Sequence, residues 1–484
     1  MWIGMSRLVI LVALAMALAL ALPDTTEATS LNEIKKLVAS DADTGDSFGW
    51  STTIDGDTAI IGVRVPGNAA YVFERDQGSQ DNWGEVKKLV PSACCLQDFA
   101  YSVAFNGDVA FVGAPRGNIP GSPSGGTVYV FHRDQGGMDD WGEVKEFTAF
   151  DNLTGDKFAI SVAISGDTAV VGAYNADAVG SDSGAAYVFQ RNEGGVDNWG
   201  EVTKLTASDA DADDRFGISV TLSGDTIIVG AHHEDAVGSD AGAAYVFQRN
   251  QGGTDNWGEV TKLTASDAGA GDEFGVSVAI SGDTAVVGSP IAATAGPQTG
   301  AAYVIQRDQG GVDNWGEVKK LTASSLNRFG YSVAVSADTV VVGPQFGSSV
   351  YVFQRNQGGA DTWGEENQLT ASDGPGDFFG SSVAASGDTA LVGAWGEDAG
   401  GSGAGAAYVF DLLLIKPTAT PTATPTPCPS GGCPVGGISL DSDLRSLPLE
   451  TASPASSPWG VAVALVAAAS LVGGGAAWYA RRRA

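Results

Sequence analysis

The 484-residue sequence predicts an all-β fold, a seven-bladed β-propeller of four-stranded antiparallel blades whose last blade is closed by the N-terminal strand. Three observations carry this prediction. Trp83, Trp141, Trp199, Trp257 and Trp315 are each 58 residues apart, and Trp363 follows 48 later. Two other markers recur seven times: a Phe followed by Gly or Ala (Phe48, Phe99, Phe158, Phe216, Phe274, Phe329, Phe379) and a Tyr-Val pair (Tyr71, Tyr129, Tyr187, Tyr245, Tyr303, Tyr351, Tyr408). Finally, the seventh copy lacks a fourth strand, while EIKKLVAS at 33–40 stands unused ahead of the first copy. A fixed period of this length is the mark of a repeat architecture.

Each element of the repeat has a local reason. In the fourth copy, FGISVTLS (216–223), DTIIVGA (225–231), AAYVFQR (243–249) and GEVTKLTAS (258–266) are β-branched and aromatic runs bounded by Gly, Asp and Asn clusters, the signature of strands. Ser-Gly-Asp-Thr joins the first two, a two-residue hairpin turn that needs positive φ and favours Gly. Asn106-Gly107 fills that place in copy two, and Ala337-Asp338 fills it in copy six against the rule. Four antiparallel strands repeated around one apolar core make a propeller rather than an open stack. A spare fourth strand at the N-terminus closes a ring and removes an exposed sheet edge, which an open stack has no use for.

The two ends read as address labels. Residues 1–28 resemble a secretory signal, with Arg7 ahead of an apolar run and Ala28 as a small cleavage residue. Residues 459–479 carry no charge and precede Arg481, Arg482 and Arg483, the pattern of a membrane span with a basic cytoplasmic tail at 480–484. Between them, 416–458 is a Thr/Pro-rich stalk. These limits leave 29–415 for the propeller and predict an exported, cell-surface protein with its N-terminus outside, anchored by one C-terminal transmembrane helix. A sorting tail cut after export fits the same pattern. Cys428 and Cys433 are the disulfide candidate, with free thiols as the alternative, and Cys94 and Cys95 are adjacent.

Composition excludes some functions. With 57 Asp+Glu against 26 Lys+Arg, the chain lacks the basic footprint of a nucleic-acid binder. Residues 31–415 hold 20 basic and 52 acidic residues, a net −32, so the propeller carries essentially all the charge. Loop parity puts the second-to-third and fourth-to-next connections on one face, and acidic loops such as 175–184, 232–242, 40–46 and 208–214 fall there. Variable loops on one side of a rigid ring are how scaffolds present binding sites.

Those markers resemble the FG-GAP repeat family, whose best-known members are integrin α-subunit head propellers. Phe-Gly opens most of the first strands, with Ala after Phe99 and Phe158, and Gly113-Ala114-Pro115 is a literal GAP. The others vary, as Gly172-Ala173-Tyr174, Gly230-Ala231-His232, Gly288-Ser289-Pro290 and Gly393-Ala394-Trp395. The resemblance implies a seven-bladed propeller used for extracellular recognition or adhesion. It does not carry over the integrin calcium loops, which lie in long hairpins where this chain has tight turns.

Calcium has other candidates. Counting back from each Phe, Asp41, Asp43 and Asp46 align with Asp209, Asp211 and Asp214, and copies three and five keep the outer two as Asp151 with Asp156 and Asp267 with Asp272. Alternate carboxylates beside a Gly can wrap a hard cation; equally, such Asp residues cap turns. No other cofactor is indicated. The Trp repeats point to packing between outer strands, His232-His233 to a surface loop, and Asn152-Leu153-Thr154 matches a glycosylation sequon. The resulting expectation is a non-catalytic propeller recognising an extracellular protein or glycan. An exported hydrolase with its site at the propeller mouth, or a purely structural surface-layer component, are the alternatives. A hydrolase needs unrepeated catalytic groups converging at that mouth, and none stands out in the sequence.

Overall fold

The computed structural model describes residues 33–412, apart from 65–66, 93–97, 118–123, 236, 294–298, 310, 324–326, 375–376 and 399. The expected signal, stalk and membrane span, and all four cysteines, lie outside the described residues. The described chain forms seven four-stranded antiparallel sheets, six of them in plain chain order. The innermost strands are Phe48–Asp55, Ser102–Asn106, Phe158–Ser165, Phe216–Ser223, Ser277–Ser281, Phe329–Ser336 and Phe379–Ser386. Each touches its counterparts in both neighbouring blades, and Phe48–Asp55 meets Phe379–Ser386 to close the ring.

The seventh sheet has the composition expected from the sequence. Strand Glu33–Leu37 pairs with Ala406–Asp411 at its outer edge, placing Lys35 opposite Val409 and Leu37 opposite Ala407. Leu37 enters the core shared by blades 7 and 1. The N-terminal strand therefore covers an edge that would otherwise be free.

The core lies between blades rather than at the axis. Second strands such as Thr168–Ala173 and Thr226–Ala231 are buried at every position, because both of their faces meet a neighbouring sheet. One cluster joins Val170, Val188 and Leu205 of blade 3 to Phe216, Ile227, Val229, Tyr245 and Trp257 of blade 4, and the other interfaces repeat it. The repeated Trp residues are buried within these clusters, so they serve packing as the sequence indicates.

The two glycine motifs have a common cause at the blade interfaces. A Cβ on Gly230 would lie 2.0 Å from the Gly275 carbonyl oxygen of the next blade. Ser219 Oγ donates to that same oxygen at 2.7 Å. Equivalent bonds run from Ser51 to Ala100, Ser102 to Ala159, Ser161 to Gly217, Ser277 to Gly330, Ser332 to Gly380 and Ser382 to Gly49. Seven serines thus bind each blade to the next in a closed circle. The residue after each Phe must turn its carbonyl toward that serine, which Gly217 does at φ 93°. Ala100 and Ala159 accept φ of 61° and 69° to do the same.

In the hairpin turns, Ala337 takes φ 50°, close to the 55–57° of Gly224, Gly166 and Gly56. Its amide donates to Ser281 Oγ of the preceding blade, as Gly224 donates to Ser165. The turn is kept in copy six with a strained alanine in the glycine position.

Candidate functional site

The aspartates singled out as calcium candidates occupy two structural positions. The first in each loop binds the blade that follows. Asp209 Oδ1 accepts from the Tyr245 hydroxyl at 2.8 Å and Oδ2 from Lys262 Nζ at 2.7 Å. Asp41 joins Tyr71 and Lys88, Asp151 joins Tyr187 and Lys204, and Asp267 joins Tyr303 and Lys320 in the same way. Asp373 completes the set with Tyr408 and Lys36. The preceding serine extends the contact: Ser208 donates through its amide and hydroxyl to Glu259 of the next outer strand, both at 2.8 Å. This is why the fourth strand ends at Leu263 rather than running on to Ser266, whose amide and hydroxyl turn to Glu317.

The last aspartate of each loop closes its own turn. Asp46, Asp156, Asp214 and Asp272 accept the amides of Asp43, Leu153, Asp211 and Gly269 at 2.7–2.8 Å. Asp43 Oδ1 takes the Thr44 amide, and Asp211 is exposed. These residues do not fit a calcium cage. Both oxygens of each first aspartate are taken by a phenol and an ammonium, and the last aspartate is directed into its turn. Among the described residues no group of three His, Cys, Asp or Glu is arranged to hold a metal.

The carboxylates titrate accordingly. Burial disfavours charged Asp209, but the Lys262 and Tyr245 hydrogen bonds outweigh it and hold its carboxyl below the ordinary range. Burial pushes Asp214 the other way, to about 6, with Glu234 and Asp211 adding repulsion against the Asp211 amide bond. Acid is not confined to this face. The hairpin turns on the opposite face carry Asp57, Asp225, Asp283 and Asp338, each bridged to an Arg that ends a third strand: Arg75, Arg249, Arg307 and Arg355.

A different cluster lies over the ends of the innermost strands. The residue before each marker Phe has positive φ: Ser47 59°, Asp98 64°, Lys157 62°, Arg215 60°, Glu273 56°, Arg328 56° and Phe378 62°. Six of these seven places hold a side chain larger than Ser in a conformation most residues avoid. Strain of this kind gathers at functional sites. Each second strand ends at the same level, since Phe216 pairs with Ala231 and Phe48 with Val63. The residues just after those ends are Arg64, Pro115, Tyr174, His232, Pro290, Gln345 and Trp395, with Arg116 one place further on.

These side chains meet around the mouth of the ring. The Arg64 guanidinium lies 4.3 Å from the Trp50 ring centroid and 5.3 Å from that of Tyr101. Its Nε is 3.4 Å from Asp98 Oδ1, and Arg116 Nε is 3.2 Å from Asp98 Oδ2. Trp50 contacts Trp395 at 5.8 Å, Trp395 stacks on Phe378 at 3.8 Å, and Phe378 meets Phe346 at 5.9 Å. Arg328 sits 5.4 Å from Phe346 and donates to Gln345 at 2.6 Å. Arg215 lies 5.9 Å from Tyr174. Burial pushes the Tyr101 phenol up to about 12, with Tyr331 adding to it from blade 6. Burial also lowers His232 to about 3, helped by its neighbour His233 and by Arg215, so this imidazole is neutral. Five cations gather here around Asp98 and Glu273, in a chain of net −31.

Reading the repeats for what they share missed this cluster. Its signal is the reverse: positions where otherwise near-identical copies differ. His232, expected on a loop surface, is 8% exposed at the mouth. Asn152 of the sequon is buried, with Nδ2 donating to Thr148 at 2.5 Å.

Comparison with known proteins agrees with this architecture. A sequence profile described as FG-GAP repeat matches at 31–73, 83–131, 141–189, 199–247, 257–305, 315–354 and 363–410. No curated protein matches the chain. Among solved structures, the β-propeller domain of Cps50 (Swd1) from Myceliophteria thermophila aligns with a TM-score of 0.50, covering 78% of this chain and 99% of that one. At 11% identity the likeness is one of fold alone.

Proposed function

The chain belongs to the FG-GAP repeat family, and from that premise we propose that it is a non-catalytic recognition module whose ligand-binding surface is the mouth of the ring. Propellers host many chemistries, so the site and not the fold must argue function. One observation carries the reading: cations and aromatic side chains that differ from blade to blade gather at the mouth of a scaffold repeated seven times. A rigid ring holding a variable, half-buried set of cations and aromatics suits binding. In this reading the partner is an extracellular protein or glycan. Residues 1–28 direct export, 416–458 lift the propeller off the membrane, and 459–479 hold it there.

The test compares partner retention by the full-length chain, on a glycan array and in a cell-adhesion assay, with two variants. Arg215→Ala combined with Arg328→Ala alters the mouth. Asp167→Ala alters a hairpin turn on the far face. Loss with the first and retention with the second is expected. Equal binding by both variants, or turnover of a glycoside by the purified chain, overturns the proposal.

A further inference from the structure

We propose that the mouth takes a short acidic saccharide, a sugar ring or chain end bearing a carboxylate. This rests on the recognition reading above and names the ligand of that same site.

Of the 20 Lys and Arg in 31–415, fifteen occupy positions repeated by blade, either ending a third strand like Arg75 and Arg249 or lying on an outer strand like Lys88 and Lys262. The other five are Arg64, Arg116, Lys157, Arg215 and Arg328, all at the mouth, with Lys157, Arg215 and Arg328 sharing the place before the marker Phe. Three of them, Lys157, Arg215 and Arg328, form no ion pair among the described residues, although the chain holds 57 Asp+Glu. Arg215 Nε is buried with no hydrogen-bond partner there. A buried guanidinium donor without an acceptor is unfavourable unless a ligand supplies one. A carboxylate matches a guanidinium fork in shape and charge.

Aromatic rings lie between these cations. Trp50, Tyr101 and Tyr331 stand two places after a marker Phe, Tyr174 and Trp395 follow the ends of second strands, and all five are half-buried. Trp50 is tilted by 59° to Tyr101 and 54° to Trp395. Tilted faces form a curved apolar platform that suits the C–H face of a sugar ring. They leave no parallel slot for a flat base, and the one parallel pair, Phe378 on Trp395 at 3.8 Å, is closed on itself.

Exposed carboxylates on the surrounding loops, among them Asp41, Asp177, Asp211 and Asp235, ring the same face. Their repulsion reaches about 8 Å at physiological salt. An extended polyanion would have to cross that rim, whereas a short chain or a chain end reaches the mouth without doing so.

The probe is trigalacturonate, titrated calorimetrically into the full-length chain beside its methyl ester, triglutamate and inorganic phosphate. The acid form is expected to bind at millimolar concentration or below, and the ester at least about tenfold more weakly, since one charge-assisted contact is worth that factor or more. Arg215→Ala and Lys157→Ala should each weaken binding about tenfold with an unchanged melting midpoint, and Arg215→Lys should recover part of the loss. No trigalacturonate binding, equal binding of the ester, or full affinity in both alanine variants overturns the proposal. If triglutamate or phosphate binds instead and Arg215→Ala abolishes it, the saccharide assignment falls while the mouth remains a recognition site. If partner retention is also indifferent to the mouth variants, both fall.

Discussion

Replacing Asp209 separates two roles for the loop aspartates, a tie between blades and a cation ligand. The Tyr245 hydroxyl it accepts belongs to a residue 0% exposed, 2.8 Å away. Removing the acceptor in Asp209→Ala leaves that hydroxyl unsatisfied, which costs about 1–3 kcal/mol. The ion pair with Lys262 adds little, because the Asp209 side chain is 47% exposed and solvent screens it; such pairs are worth about 0–1 kcal/mol. Lys262 also keeps Glu234 at 2.6 Å. The expected loss is therefore about 2 kcal/mol for Asp209→Ala. Asp209→Asn keeps an acceptor for Tyr245 and should lose about 1 kcal/mol or less. Tyr245→Phe removes the donor itself, and the half-exposed carboxylate can be hydrated, so its loss should also fall below that of Asp209→Ala.

Urea unfolding of the three variants, combined as a double-mutant cycle between Asp209 and Tyr245, measures the coupling directly. Each is run with calcium and with chelator. The reasoning is refuted if calcium raises the wild-type midpoint and Asp209→Ala abolishes that rise. It is equally refuted if Asp209→Ala is no less stable than Tyr245→Phe.

Three further outcomes are expected. Gly230→Ala places a Cβ 2.0 Å from the Gly275 carbonyl and 2.4 Å from Ser219 Oγ, so it should destabilise the propeller by about 3 kcal/mol or prevent folding, as thermal melting or expression in soluble form will show. Ala337→Gly relieves an alanine held at φ 50° and should raise stability by about 0.5–1 kcal/mol; an unchanged melting curve would mean the turn is unstrained. Asp214 titrates near 6 in the fold against an ordinary 3.8, so its favourable contribution is complete below 3.8 and disappears as pH rises through 6. The stability advantage of Asp214→Asn over the natural chain should consequently grow across that interval and level off above it, a trend that melting at stepped pH will register.

The fold was legible because the repeat states it many times over. The hairpin Gly, the alternation of FGISVTLS and the position of EIKKLVAS each followed from local rules, and the strands fall where those rules put them. The roles of particular polar residues were not legible in the same way. Asp209 and Tyr245 are 36 residues apart, and nothing in either segment says that they meet. That contact depends on the loop leaving one blade lying over the third strand of the next, a relation only the ring creates. The spacing of Asp41, Asp43 and Asp46 suggested a cation loop because sequence cannot show that both oxygens of the first carboxylate are already taken, by Tyr71 and Lys88.

The mouth poses the opposite problem, since its signal was present and ran against the search for repetition. Packing needs the same residues in every blade, because every interface is the same interface. A side chain that contributes only to packing, such as Val188 or Phe247, therefore recurs as Val246 or Phe189. A ligand without sevenfold symmetry makes no such demand at the axis, and there the copies are free to diverge. Arg64 follows a second strand, Lys157, Arg215, Glu273 and Arg328 precede marker Phe residues, and neither position holds one residue type around the ring. In a repeat this regular, divergence at the mouth of the ring marks where sevenfold packing no longer dictates the residue. Cations that form no ion pair there among the described residues, in a chain this acidic, point to a reason outside the fold.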